Sequence, residues 1–133
     1  MRYRIINPEP LGTPRGWNHG LLTTAPGRLL FVAGQTASDA DGVVRTFGLV
    51  EQFERALSKV VAVVREAGGE PADIGRLTLY VTDLEEYLGN RRALGVAYRR
   101  LMDRHYPTMA LVEVKGLADE EALLEIEATA VVP

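Results

Sequence analysis

The 133-residue sequence has no cysteine, two histidines and one tryptophan. Without thiols there is no disulfide, no thiolate nucleophile and no cysteine-ligated metal, and two separated histidines do not complete a common zinc site. Neither a metal nor a cofactor is therefore expected. No apolar run approaches the ~20 residues needed to cross a bilayer, and Met1 to Pro10 lacks the basic, apolar, small-residue order of a secretory signal. The expectation is a cytoplasmic protein with no membrane partner. An excess of positive charge is missing as well: 15 Lys and Arg stand against 18 Asp and Glu, for a net charge of −3. Neutralising phosphates takes clustered basic residues, so no nucleic-acid partner is expected.

What is present suits an ordinary globular chain. The composition, 47% hydrophobic and 25% charged, can build a sizeable core, and the length fits one domain spanning residues 1–133. Glycine and proline cut the chain into short segments. Tyr3 to Ile6 reads as an edge strand, and Asn7 to Gly16, rich in proline and glycine, as a loop. Gly20 to Thr24 and Arg28 to Ala33 flank the turn Ala25-Pro26-Gly27 and read as a hairpin. Val50, Phe53, Leu57, Val60, Val61 and Val64 recur at spacings of three and four, which marks one face of a helix, and Gly68-Gly69 supplies its stop. Arg76 to Val81 is β-branched and aromatic, hence a strand. Asp83, with Glu86 three positions on, resembles a capping box. It opens a second helical stripe through Leu94, Tyr98, Leu101 and Met102, with Gly89 as a point of interruption. Met109 to Val114 and Leu123 to Val131 close the chain as strands.

The order β-β-β-α-β-α-β-β is satisfied by an α+β fold with a single mixed sheet and two helices on one face. The other face then meets water or another subunit. In the last strand Leu124, Ile126, Ala128 and Ala130 alternate with Glu125, Glu127 and Thr129, so the carboxylates gather opposite the core. Glu113 is expected to join them. A solvated or salt-bridged acidic face explains Glu113 and Glu127 without any catalytic role.

Several passages in the right order carry a family resemblance. They are Phe31-Val32-Ala33-Gly34-Gln35 at a strand end, Gly68 at a helix exit, and Tyr80-Val81-Thr82-Asp83-Leu84. Pro107-Thr108-Met109-Ala110-Leu111-Val112-Glu113-Val114 and Leu124-Glu125-Ile126-Glu127-Ala128-Thr129-Ala130 complete the set. Together they resemble the Rid (reactive intermediate deaminase, or YjgF) superfamily along nearly the whole chain. The resemblance implies a chorismate-mutase-like, YjgF-like homotrimer with small-molecule clefts between subunits.

The resemblance also implies site residues. Imine-hydrolysing members carry an arginine two residues after the proline, forming a bidentate pair with a substrate carboxylate. Here that position is Met109, whose thioether carries no charge. Glu125 matches the glutamate that holds or activates the attacking water, and backbone groups of Gly34 and Leu111 line the same cleft. The usual amino-terminal Gly-Pro-Tyr-type segment is replaced by Gly16-Trp17-Asn18-His19-Gly20, which puts an indole and an imidazole at the pocket mouth. His19 is a candidate proton shuttle, or else a hydrogen-bonded loop residue. Trp17 is a packing anchor or a stacking surface for substrate, and His105 at a helix exit is structural. Arg91 or Arg92 could bring a replacement charge from a neighbouring subunit. The expected activity is hydrolysis of an imine, an enamine or a related small metabolite. A non-catalytic ligand-binding or regulatory trimer is the alternative of a different class, and endoribonuclease activity a remote third.

Overall fold

The computed structural model describes residues 2–46 and 48–133. Six strands and three α-helices follow the order β1 (Tyr3–Ile6), β2 (Gly20–Thr23), β3 (Arg28–Gln35), α1 (Leu49–Glu66), β4 (Ile74–Val81), α2 (Leu84–Gly89), α3 (Arg91–Met102), β5 (Thr108–Glu113) and β6 (Leu124–Val132).

The strands do not form the expected single sheet. β3, β6, β4 and β5 make a four-stranded mixed sheet in that spatial order, whereas β1 and β2 pair only with each other. The expected hairpin between β2 and β3 is absent too, since β2 is antiparallel to β1 and β3 is antiparallel to β6. Gly27 has a packing reason besides turn geometry: a Cβ there would lie 2.6 Å from Val131 Cγ1. The small sheet is tied to the large one at the start of β4. There the Arg2 guanidinium pairs with the buried Asp73 carboxylate, and the Tyr3 hydroxyl donates to the Asp73 carbonyl at 2.6 Å.

Helix α1 forms because its apolar side chains share one face. Leu49, Phe53, Ala56, Leu57, Val60, Val61 and Val64 are all buried by the sheet and α3. Its stop is the expected glycine pair, with Gly68 at φ 89°. The second helical stripe divides at Gly89 into α2 and α3. At its start Asp83 accepts a hydrogen bond from the Glu86 amide at 3.0 Å, the anticipated N-cap.

In β6, buried Leu124, Ile126, Ala128, Ala130 and Val132 alternate with half-exposed residues, as its pattern of two requires. The helices cover the buried side. The opposite side carries Glu125 and Glu127 together with Phe31, 75% exposed, and Leu29, 59% exposed.

Candidate active site

Register decides which side chains share a face. β4 pairs in parallel with β5, matching Leu77 to Met109, Leu79 to Leu111 and Val81 to Glu113, and antiparallel with β6, matching Tyr80 to Glu125 and Thr78 to Glu127. Leu77, Leu79 and Val81 are buried beneath the helices. Met109, Leu111 and Glu113 therefore lie on the helix-covered side of the sheet. This corrects the grouping of Glu113 with Glu125 and Glu127: alternation along β5 and β6 is in opposite phase. Glu113 instead accepts a hydrogen bond from the Leu84 amide at 2.9 Å, satisfying an orphan donor at the start of α2.

The two remaining carboxylates differ. Glu127 receives the Tyr80 hydroxyl as a hydrogen-bond donor, and that bond is the main reason the phenol titrates above its ordinary value. Among the described residues Glu125 has neither a side-chain hydrogen bond nor an ion pair. It lies instead against Gly34, where an added Cβ would meet its Cδ at 2.8 Å. Gly34 sits in a β-bulge, because between Val32 and Gln35 the strand β3 carries one residue more than its partner β6. Glycine is needed there to give the carboxylate room.

The amino-terminal loop forms a second cluster. The Trp17 and His19 rings meet edge to face at 4.6 Å, and the His19 amide donates to the Asn7 side chain at 2.8 Å. The Asn18 side chain reaches the Tyr106 carbonyl at 2.6 Å, fastening the loop beside the start of β5. His19 Nε2 is the buried side-chain atom left without a hydrogen-bond partner among the described residues. His105 is structural as expected, with Nε2 2.6 Å from the Ile74 carbonyl.

Trp17, Met109 and Leu111 line one cavity of about 670 Å³, together with Arg15, Arg91 and Arg99. Arg91 thus lines the same cavity as Met109 within its own chain, and Arg92 is not in the lining. Sequence reasoning missed Arg15 and Arg99. The spacing of Arg91, Gly95 and Arg99, four residues apart on one helix face, was the available signal.

One chain does not unite all six expected residues. Gly34 and Glu125 face away from the helices, whereas Met109 and Leu111 face towards them. β3 and β5 are moreover the two edges of the four-stranded sheet, about 14 Å apart at the usual strand spacing. No group of three or more His, Asp or Glu able to hold a metal occurs among the described residues. Nor is any of their helices long and apolar enough to cross a membrane.

Comparison with known proteins agrees with this architecture. A family model described as Endoribonuclease L-PSP matches residues 13–132. TdcF of Escherichia coli, provisionally named a reactive intermediate deaminase, is 31% identical over 108 residues, which cover 79% of this chain and 80% of TdcF. A goat (Capra hircus) 2-iminobutanoate/2-iminopropanoate deaminase is 26% identical over 105 residues, 78% of this chain and 73% of that one. Among solved structures, the Rid-family protein YyfB of Yersinia pestis, of unknown function, superposes with a TM-score of 0.85 at 32% identity, covering 99% of this chain and all of that one. TdcF with bound serine gives a TM-score of 0.66 at 28% identity over 92% of each chain.

Proposed function

Because this chain belongs to the Rid/YjgF/L-PSP (RutC) family, we propose that it hydrolyses an imine, an enamine or a related small metabolite in a pocket between subunits of a homotrimer, without the usual carboxylate-binding arginine. The observation that carries the reading is the contrast between the two carboxylates of β6. Glu127 is occupied by Tyr80, while Glu125 is unpaired and is given room by Gly34. An unpaired, half-exposed carboxylate on a rigid strand is suited to accept a proton from water.

In this mechanism water adds to the carbon of the C=N bond and gives its proton to Glu125. The imine nitrogen takes up a proton, with His19 as donor, and the resulting carbinolamine collapses to a carbonyl compound and ammonia. Backbone groups of Gly34 and Leu111 position the substrate, and Trp17 and Met109 bound it. Since Gly34 and Leu111 stand on opposite edges of the sheet, a pocket containing both takes β3 from one chain and β5 from the next. This supports an intersubunit cleft and accounts for the exposed Phe31 and Leu29.

Met109 favours a second reading, a ligand-binding trimer that performs no chemistry. The family name also raises RNA cleavage, which a net charge of −3 disfavours. One experiment separates the first two. Freshly generated 2-imino acids, produced by an amino-acid oxidase, are offered to the wild type and to Met109→Arg, with a chemical trap competing for the imine. Faster release of 2-oxo acid and ammonia by the wild type supports imine hydrolysis with the carboxylate held elsewhere. Release only by Met109→Arg confines the natural substrate to molecules without a carboxylate. Inactivity of both, together with ligand-induced stabilisation by an unconsumed compound, would establish the binding reading. The same preparation, freed of ribonuclease, should leave RNA intact.

A further inference from the structure

Helix α3 packs chiefly against α1 and leaves the adjoining face of β4 and β5 to the cavity beside Met109. The deep side of that cavity is apolar, with Leu77 and Ile126 of the sheet and Leu94 of α3 all buried. Rings supply much of the rest: the single tryptophan and three of the five tyrosines line it, together with Phe53. The charged lining residues Arg15, Arg91 and Arg99 are all exposed, so they stand at the solvent end and stay hydrated there. A charged group on the deep side would lose its water without meeting an opposite charge.

Phenol bonding singles out a polar atom in this apolar wall. Tyr3, Tyr80 and Tyr98 donate their hydroxyls to Asp73, Glu127 and His105. The Tyr87 and Tyr106 hydroxyls have no partner among the described residues, and both residues line the cavity. The Tyr87 ring meets Phe53 edge to face at 6.5 Å, and burial alone raises its phenol above the ordinary 10.0. A hydroxyl shielded from water and lacking an internal acceptor is a donor that a bound acceptor would satisfy. Volume points the same way. The cavity's 670 Å³ or so lies within the ~300–1,000 Å³ of pockets that enclose drug-sized ligands, far more than a short-chain imino acid fills.

We infer that this cavity takes an uncharged molecule with an apolar ring, the ring lying among the aromatic walls and a neutral acceptor, an amide or ketone oxygen, receiving a hydrogen bond from the Tyr87 hydroxyl. Rings packed against rings supply the affinity, and the single bond fixes the orientation. Met109 and Leu111 add only uncharged contacts. The inference rests on the reading of this cavity as part of the substrate pocket, and it narrows the substrates of that reading to neutral, ring-bearing ones.

Trp17 lines the cavity, so its fluorescence reports occupancy without turnover. The probes are 3-phenylpropanamide, 3-phenylpropanoate, butanamide and ethylbenzene, titrated into the intact protein with calorimetry in parallel. The ring-bearing amide should bind about tenfold or more tightly than butanamide, which lacks the ring, and than the carboxylate, which brings a charge. Tyr87→Phe should weaken 3-phenylpropanamide about tenfold and leave ethylbenzene unchanged, because the amide oxygen loses its donor. Tyr106→Phe should bind the amide as the wild type does. Should Tyr87→Phe misfold, the wild-type comparisons still decide the matter. Equal or tighter binding of the carboxylate, equal affinity for the two amides, or no saturation by 3-phenylpropanamide up to about 3 mM would each overturn the inference. So would a Tyr87→Phe effect of the same size on both ring compounds. A wild type that hydrolyses 2-imino acids yet does not bind 3-phenylpropanamide would keep the imine reading and lose this one; binding of the amide by a chain that hydrolyses nothing would do the reverse.

Discussion

At the residue scale, Glu125 and Glu127 are two positions apart on the same face of β6, yet their surroundings give them different capacities. Tyr80 holds the Glu127 carboxylate, and Glu125 rests against Gly34. If Glu125 accepts the water proton, Glu125→Gln should lower kcat for the hydrolysed substrate by about 10²-fold or more, the usual range for losing a general base. Glu127→Gln should change it far less. Gly34→Ala is the more discriminating variant: its methyl would stand only 2.8 Å from the Glu125 Cδ, and that flexible carboxylate would swing away. The expected outcome is a fall in kcat comparable to Glu125→Gln with a thermal midpoint close to wild type, read by steady-state kinetics and calorimetry. Full activity in Gly34→Ala would show that the carboxylate's position is immaterial.

At the element scale, the strands and helices were largely legible because their periods are strong. The alternation along β6 predicted every buried residue from Leu124 to Ala130, and the stripe along α1 named most of the helix's inner face. Pairing was less legible. A turn sequence such as Ala25-Pro26-Gly27 marks a reversal of the chain but not which strand receives the freed backbone groups, and here β6 takes β3 while β1 takes β2. Phase was misread for the same reason: whether Glu113 shares a face with Glu125 depends on the register through β4, which no local pattern contains.

Gln52 escaped notice because a polar residue breaks an apolar stripe. It is 1% exposed, donates to the Thr46 and Glu121 carbonyls at 2.7 and 3.1 Å, and accepts from the Leu123 amide at 2.8 Å. The side chain thus joins α1 to the segment that precedes it and to the residues that lead into β6. Gln52→Ala strands those backbone groups and should cost about 3 kcal/mol in a urea titration, since each buried unsatisfied group costs roughly 1–3 kcal/mol.

The phenols packed around α3 make a second prediction at this scale. Burial raises the Tyr98 and Tyr87 hydroxyls above their ordinary value of 10.0. A group whose folded value is raised stabilises the fold fully below its unfolded value and loses that contribution as pH climbs towards the folded one. The urea midpoint should therefore show no tyrosine-linked loss below about pH 9 and should fall above about pH 10. In Tyr98→Phe the baseline should drop, because the His105 carbonyl loses the hydroxyl that donates to it at 2.6 Å. The alkaline slope should nonetheless flatten. An unchanged slope would mean that other groups govern alkaline unfolding.

At the scale of the whole molecule, the residues of the candidate site fall on opposite edges and opposite faces of the four-stranded sheet. The helices cover one side of the sheet; the other presents Phe31 at 75% exposure and Leu29 at 59%, next to the Glu125 row. Exposed apolar side chains on a regular strand are a usual mark of an interface. The same strand ends in the bulge at Gly34, so assembly through this face and completion of the pocket would be one event. Phe31→Arg places a charge in that contact while making no change to the covered core. It should yield a folded monomer, by sedimentation and circular dichroism, with imine hydrolysis lost even though Glu125, His19 and Leu111 are all intact. Hydrolysis surviving in a proven monomer would place the whole reaction within one chain, and the 14 Å between the two sheet edges, an estimate from about three strand spacings, leaves no single-chain arrangement in which Gly34 and Leu111 act on the same substrate atom. The roles of those two residues would then have to be abandoned, and the arginine-lined cavity, which one chain builds by itself, would become the place to look for the chemistry.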